Sequence, residues 1–204
     1  MSTGVPALDT PRLRVPDVLV QLHLQPHGQP IGQNPFGQGL EGQLAVHRRQ
    51  QQRAFGIELM LAADMVVAAD NCRFSQLEVK RGIMATGGAT VRMAERAGTG
   101  TALYHLLVAG EFGAQEALRV GYVQEIVPAE KLFARARELA ELIAANAPLA
   151  VVASRRNVLL SVEHGRDQAI AAFRNVQSAL AASEDASEGI ASFKERRPAV
   201  FKGK

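Results

Sequence analysis

The stretch GIELMLAADMVVAAD, residues 56–70, decides how the second part of the chain folds. Residues 57–63 have the length and apolar character of a buried helix, and residues 65–69 form the short β-branched run typical of a buried parallel strand. Asp70 and Asn71 then predict a turn. Within this run, Glu58 places a carboxylate at the start of five consecutive apolar residues. A charged group in that position needs a reason.

Composition limits the classes of protein that the chain can belong to. Its 204 residues suit one large domain or a domain with a small appendage, and 47% of them are hydrophobic. Aromatic residues make up only 5%, with no Trp, so aliphatic side chains must build the core. The net charge of +3 mildly favours anionic ligands. Because the basic residues are spread without a dense run, we do not expect a nucleic-acid partner.

Cysteine content and hydropathy bear on the compartment. The single cysteine, Cys72, excludes an internal disulfide and suggests a reducing environment. No stretch approaches the roughly 18 uninterrupted apolar residues of a membrane helix. The first fourteen residues, MSTGVPALDTPRLR, lack the apolar core of a signal peptide. We therefore expect a cytoplasmic protein with no membrane association.

The character of the chain changes near residue 54. Residues 20–53 are crowded with Gln, His, Gly and Pro, which predicts loops or partial disorder with one short strand at residues 18–24. His23 and His27 have the spacing of helical metal ligands, but Pro26 lies between them and argues against a helix. Two unpaired surface histidines are the better interpretation, and we expect no metal.

The remainder of the chain predicts a packed α/β unit followed by helices. A second strand is expected at residues 72–74, and a Gly-rich loop at residues 82–88 leads into a helix at residues 89–97 that Gly98 ends. Leu132, Ala136, Leu139 and Ile143 form one apolar helical stripe. The other predicted elements are helices at residues 101–109, 114–120, 149–163, 167–182 and 185–196 and a strand at residues 122–127.

Four motifs occur in a characteristic order. They are GIELMLAAD at residues 56–64, ADNCRFSQLEVKRGIMATGGATVRM at 69–93, EALRVGYVQEIVP at 116–128 and EGIASFKERRPAVFKGK at 188–204. From about Phe55 onward, some three quarters of the chain, the sequence resembles the enoyl-CoA hydratase/isomerase (crotonase) family.

The resemblance implies an α/β fold, a crotonase-like spiral of ββα turns that is truncated at its N-terminal side and followed by a helical region. Residues 1–54 would be an atypical segment, 55–128 the α/β core and 129–204 a helical oligomerisation region. It also implies acyl-CoA thioester substrates, as in fatty acid metabolism, assembly as homotrimers or hexamers, and no cofactor beyond the coenzyme A of the substrate.

The same resemblance explains Glu58. Many hydratases of this family hold one water with two glutamates, and the matching positions here are Glu58 and Glu78. Adding water across a conjugated double bond requires a base for the proton of water and an acid for the α-carbon, and two carboxyl groups can share these tasks. The alternatives are structural: Glu58 as an acid favoured by the helix dipole, and Glu78 as a solvated residue beside Lys80 and Arg81.

The resemblance also locates the acyl pocket and half of an oxyanion hole. The loop with Thr86, Gly87 and Gly88 would shape the pocket with its backbone. The alternative is that this motif only marks the start of the following helix. Thr86 stands where many relatives have Gly. Phe55, in an expected turn at residues 53–57, would supply one oxyanion N–H, again where relatives have Gly. The segment that would supply the second N–H, of the type Phe-x-Ala-Gly-x-Asp, is not recognisable in residues 1–54.

Basic residues near the C-terminus are candidates for holding coenzyme A. Arg196, Arg197 and Lys202 lie in a segment that in the family reaches the phosphates of the nucleotide, and Arg196 and Lys202 are our candidate ligands. A solvated helix end is the alternative.

Three functions remain open from the sequence. The first is an enzyme of the hydratase (lyase) or isomerase type, impaired here because its oxyanion segments are altered. The second is a non-catalytic crotonase-fold subunit or remnant that self-associates. The third is an unrelated helical binding protein. A frameshift or incorrect start is a further hypothesis for residues 1–54.

Overall fold

The computed structural model describes the backbone of residues 20–23 and 51–55 and all atoms of residues 56–204. These residues divide into two compact units, residues 20–23 with 51–137 and residues 138–204. The strands are β1 (Val20–His23), β2 (Met65–Ala69), β3 (Arg73–Phe74), β4 (Phe112–Gly113) and β5 (Glu125–Val127). The helices are α1 (Gln51–Ala62), α2 (Ala89–Ala97), α3 (Thr99–Val108), α4 (Ala114–Arg119), α5 (Leu132–Ala144), α6 (Pro148–His164), α7 (Arg166–Ala181) and α8 (Glu184–Glu195). Short 3₁₀ helices span Glu78–Arg81 and Ala129–Lys131.

A three-stranded parallel sheet organises the first unit. The strand order is β1-β2-β5, with Val20 opposite Met65 and Val67 opposite Glu125. Strand β2 is central and buried from Val66 to Ala69, as its uninterrupted apolar sequence predicted. Gln124 fixes its start, because the backbone N–H of Val66 donates to the Gln124 side-chain oxygen at 2.8 Å.

Helix α1 packs beside this sheet and contacts α2 and β3. Its inward residues Ile57, Met60 and Leu61 are buried, together with Met93 of α2. The helix begins six residues earlier than predicted and includes residues 53–57, for which we expected a turn. The turn prediction was therefore wrong. The helical ladder continues N-terminally through Gly56, a residue that weakens a helix without forbidding it.

The first unit also contains a small antiparallel pair, β3 with β4. Phe74 lies opposite Phe112, with ring centroids 5.6 Å apart. The ring of His105 is 4.2 Å from that of Phe112 and 5.7 Å from that of Tyr122. Tyr122 and Val123 are fully buried but precede β5, which is shorter than the strand predicted at residues 122–127. Strand β4 was not predicted.

The second unit is helical. Gly165 alone separates α6 from α7, and the two helices pack against each other. Between them lies an open groove of about 500 Å³ lined by Val158, Val162, Ile170 and Phe173 among others. The predicted stripe on α5 begins in the first unit, where Leu132 and Ala136 are buried. Leu139 and Ile143 are half-buried.

The remaining sequence predictions concern the N-terminal strand and the segments on either side of it. The strand predicted at residues 18–24 is confirmed over the described residues Val20–His23, which form β1. His27 and the other predictions on residues 1–19 and 24–50 lie outside the described residues. Within residues 20–23 and 51–204, no helix is long and apolar enough to cross a membrane. The same residues contain no group of three or more metal-ligating side chains.

Candidate active site

Glu58 projects from the middle of α1 with buried apolar neighbours at Ile57 and Met60. Its side chain is half-buried, and its Oε1 atom is buried without a hydrogen-bond partner among the described residues. A buried carboxylate oxygen without a partner costs about 1–3 kcal/mol. Natural proteins rarely keep such a group without a use for it, so Glu58 is a candidate functional residue.

Gly87 lies directly against the Glu58 carboxyl group. An ideal Cβ built on Gly87 would be 2.0 Å from Glu58 Oε2 and 2.4 Å from its Cδ. Since no real side-chain atom tolerates such a distance, glycine is required here while Glu58 keeps its position. The predicted Gly-rich loop thus brings its backbone to one of the two predicted glutamates.

Glu78 begins the 3₁₀ helix after β3, and its Oε2 atom is also buried without a partner in the described part of the chain. The preceding residues Ser75 and Gln76 are almost completely buried. The Ser75 hydroxyl and both amide atoms of Gln76 likewise find no partner among the residues described. The segment before and including Glu78 is therefore a concentration of unpaired polar groups, which is uncommon in a folded interior.

The chain connects Glu78 to Gly87 through an exposed loop. Gly82 closes the 3₁₀ helix in a left-handed conformation (φ 72°), and the N–H of Ile83 donates to the Glu78 carbonyl at 3.2 Å. Ile83 and Met84 are exposed, whereas Ala85 is buried. Thr86 is exposed next to Gly87. The Glu58 carboxyl group therefore contacts Gly87 directly. Glu78 is connected to Gly87 along the chain, through the loop just described.

Gly88 caps α2 in a left-handed conformation with φ of 105°. Arg92, one turn into α2, donates from Nη1 to the Gly87 carbonyl at 2.9 Å. Its guanidinium also covers Gly88, where an ideal Cβ would be 2.1 Å from Arg92 Nη1. Arg92 was not predicted as a site residue. The signal that could have found it is an arginine four residues after a glycine N-cap, within one helical turn.

Phe55 lies inside α1, and its side chain is outside the described atoms. An N–H inside a helix normally bonds to the carbonyl four residues earlier. Its role as an oxyanion donor stays a prediction.

The C-terminal candidates belong to the second unit. Arg196 ends α8 with a positive φ of 54°, and both Arg196 and Lys202 are exposed. The neighbouring Arg197 instead pairs with Glu188 at 2.6 Å and Glu195 at 2.5 Å. Asp185, which is buried, accepts hydrogen bonds from the backbone N–H groups of Lys202 (2.6 Å) and Gly203 (2.8 Å). The tail that carries Lys202 is therefore fixed to the start of α8.

Comparison with known proteins decides the family. The family model for enoyl-CoA hydratase/isomerase matches residues 51–204. The chain belongs to the enoyl-CoA hydratase/isomerase family. It is 35% identical over 149 residues to a 2,3-dehydroadipyl-CoA hydratase of Escherichia coli, covering 73% of this chain and 58% of the relative. It is 37% identical over 153 residues to a carnitinyl-CoA dehydratase of Proteus mirabilis, covering 73% of this chain and 59% of the relative.

Solved structures of the enoyl-CoA hydratase/isomerase family share the fold. A probable enoyl-CoA hydratase/isomerase from Mycobacterium abscessus superposes with a TM-score of 0.72 at 44% identity, covering 74% of this chain and 59% of that chain. The crotonase fold predicted from the motifs is confirmed. The chain spans less than two thirds of the length of these relatives.

Proposed function

We propose that the chain adds water to the double bond of a 2-enoyl-CoA thioester. The contact between the Glu58 carboxyl group and Gly87 carries this proposal, because it puts an unpaired acid–base group against a loop of the kind that shapes the acyl pocket. The relatives include a hydratase and a dehydratase whose names specify CoA thioesters, which supports the substrate class.

Glu58 and Glu78 would divide the proton transfers. One carboxylate takes a proton from water as the water oxygen bonds to the β-carbon, and the electron pair of the double bond moves toward the thioester oxygen. The other carboxyl group then donates a proton to the α-carbon, so that one water is added in total. Isomerisation of the double bond would instead move a proton between the α- and γ-carbons, with a glutamate carboxylate taking it from one carbon and returning it to the other, and would consume no water. We also propose that the protein is cytoplasmic.

We further propose that hydration by this chain is slow. Loss of one oxyanion donor typically costs about 10²–10³-fold in rate. Here Phe55 replaces the usual glycine at one donor, and the segment for the second donor is not recognisable in residues 1–54. Arg196 and Lys202 are proposed to pair with the phosphates of coenzyme A.

A hydration assay with the purified chain and crotonyl-CoA tests the function. We expect slow but measurable loss of the conjugated thioester, reduced about 10²–10⁴-fold further by Glu58→Gln and by Glu78→Gln. Glu130→Gln, an exposed acid of the same unit, is the matched control. Turnover that survives in either glutamine variant removes that residue from the mechanism.

A non-catalytic subunit that self-associates is the second candidate. The exposed apolar side chains of α6 and α7 favour it, since monomers rarely expose extended apolar patches. No hydration at any enzyme concentration, combined with a defined oligomer, would support this candidate over the first.

A further inference from the structure

Helix α2 carries two arginines one turn apart, Arg92 and Arg96. Residues at i and i+4 lie on the same face of a helix, so both guanidinium groups extend from one side of α2. Arg92 donates to the Gly87 carbonyl and covers Gly88. Arg92 thus contacts the loop that carries Gly87, whereas Arg96 contacts the helix that carries Glu58.

Arg96 contacts the end of the helix that holds Glu58. Its Nη2 atom donates to the Leu61 carbonyl at 3.2 Å and to the Ala63 carbonyl. These carbonyls belong to the last turn of α1 and the residue that follows, where carbonyl groups lack helical partners. Its Nη1 atom also reaches the Tyr122 carbonyl at 3.5 Å, just before β5.

The contacts of Arg92 and Arg96 together hold both sides of the candidate site to helix α2. Arg96 fixes α1, from which Glu58 projects, and Arg92 fixes the turn that presents Gly87 to the Glu58 carboxyl group. Because both arginines belong to the same helix, α2 sets the distance between α1 and the turn that carries Gly87. We propose that Arg92 and Arg96 are positioning residues that hold Glu58 against Gly87.

Electrostatics agree with this role for Arg96. Burial lowers the pKa of the Arg96 guanidinium, and the nearby Asp64 carboxylate acts in the opposite direction. A cation kept half-buried on three carbonyl groups serves to hold backbone, because charge-assisted hydrogen bonds are stronger than neutral ones.

The effect on turnover rests on the proposed function, but the effect on Glu58 does not. Misplacing a catalytic group by about 1 Å can cost about 10²-fold in rate. Arg92→Met removes the donor to Gly87, while Arg92→Lys keeps a donor on a flexible side chain. We expect kcat for crotonyl-CoA hydration to fall about 10- to 100-fold in the Met variant with little change in KM. The Lys variant should recover much of this loss.

The position of Glu58 can be followed without activity. In protein labelled at the glutamate side-chain carboxyl carbons, the Glu58 resonance is assigned by its loss in Glu58→Gln. We expect Arg92→Met to move this resonance in the same direction as Gly87→Ala, which displaces the carboxyl group directly. Arg92→Lys should leave it near the wild-type position. Arg119→Gln is the control, because Arg119 is exposed and pairs with Glu116 of its own helix.

A combined variant tests whether the two changes act through the same group. If Arg92 acts through Gly87 and Glu58, Gly87→Ala with Arg92→Met should be within about threefold of Gly87→Ala alone, since residues that act as a unit are not additive. Arg96→Lys tests the second arginine in the same way. Thermal unfolding of this variant separates loss of the fold from displacement of the Glu58 carboxyl group. The variant should move the Glu58 resonance as Arg92→Met does while the protein remains folded.

The outcomes separate the two proposals. An unmoved Glu58 resonance in both Arg92→Met and Arg96→Lys, with Gly87→Ala displaced, would overturn the positioning role. Additive losses of turnover in the double variant would also count against it. If the wild-type chain shows no hydration but the resonance shifts follow the expected order, the positioning role stands and the proposed function fails.

Discussion

The carboxyl group of Glu58 lies against the α-carbon of Gly87, so close that an ideal Cβ there would be 2.0 Å from Glu58 Oε2. This relationship links a helix and a loop that are separated by strands β2 and β3 in the chain. It explains why an acidic residue occupies the apolar run of α1, because the acid faces a polar backbone turn instead of the core. The absence of a side chain at Gly87 and the position of the carboxyl group at Glu58 therefore depend on each other.

The first prediction concerns Gly87→Ala. Gly87 does not have a left-handed backbone, so alanine there avoids the strain of a positive φ, and the added methyl group acts by moving the flexible Glu58 carboxyl group. We expect the fold to survive and hydration of crotonyl-CoA to fall about 10²-fold. Gly100→Ala is the matched control, since nothing lies within 4 Å of a Cβ at that position. Equal turnover in the two alanine variants would contradict a catalytic position for Glu58.

The second prediction concerns the pH dependence of stability. The His105 side chain is only 5% exposed, and burial lowers its pKa, while Glu116 at 3.7 Å opposes the shift and Arg119 adds to it. Since the unfolded chain then binds more protons than the folded one below about pH 6.5, stability should fall as pH decreases through that value. The slope from this histidine can reach about 1.4 kcal/mol per pH unit.

Denaturant unfolding between pH 7.5 and 5 measures this slope. His105→Phe places a third apolar ring beside Phe112 and Tyr122 and should flatten the dependence. His164→Gln should leave it unchanged, because His164 is 63% exposed. Acidic groups such as Glu188, whose pKa the Arg197 side chain lowers to about 2, contribute at lower pH. An unchanged slope in His105→Phe would mean that another group titrates in this range.

Local signals account for what the sequence predicted well. Strand β2 and helix α2 have the predicted bounds, because an apolar run between acidic residues defines the first and Gly88 and Gly98 flank the second. The short strand β4 and the early start of α1 were missed. Strand β4 exists because Phe112 meets Phe74 from a distant segment, and no local pattern encodes that pairing.

The residues of the candidate site also fall into those that the sequence indicated and those that it did not. Glu58 and Gly87 were found because they lie in motifs, and the family pattern shows both. Arg92 and Arg96 look like ordinary polar residues of a helix in the sequence. Arg92 donates to Gly87, which is close to it in the chain, so only the spacing to the glycine N-cap could have indicated it. Arg96 donates to the carbonyl groups of Leu61 and Ala63, which only the folded chain brings within reach.

The third prediction concerns coenzyme A. Arg196→Gln and Lys202→Gln should each weaken coenzyme A binding about two- to fivefold at low ionic strength, the usual range for exposed charge pairs. The effect should shrink as added salt shortens the screening distance. Lys194→Gln, an exposed cation in the last turn of α8, is the matched control. Calorimetry with coenzyme A measures all three, and affinities equal to wild type at low salt would favour a purely solvated helix end.

The last prediction is that the chain self-associates, as a trimer by resemblance to its family, through apolar side chains of the helical unit. Phe173 and Val162 are 55% and 53% exposed, and both line the groove between α6 and α7. Closed symmetric assembly would remove this surface from water, which stabilises the assembled state. We expect light scattering at micromolar concentration to give a multiple of the 21.9 kDa chain mass. Phe173→Lys should lower that multiple because it places a charge in the groove, whereas Asn175→Lys, on an exposed position of the same helix, should not. A monomeric wild-type chain, or equal masses for the two lysine variants, would show that this groove is not the contact surface.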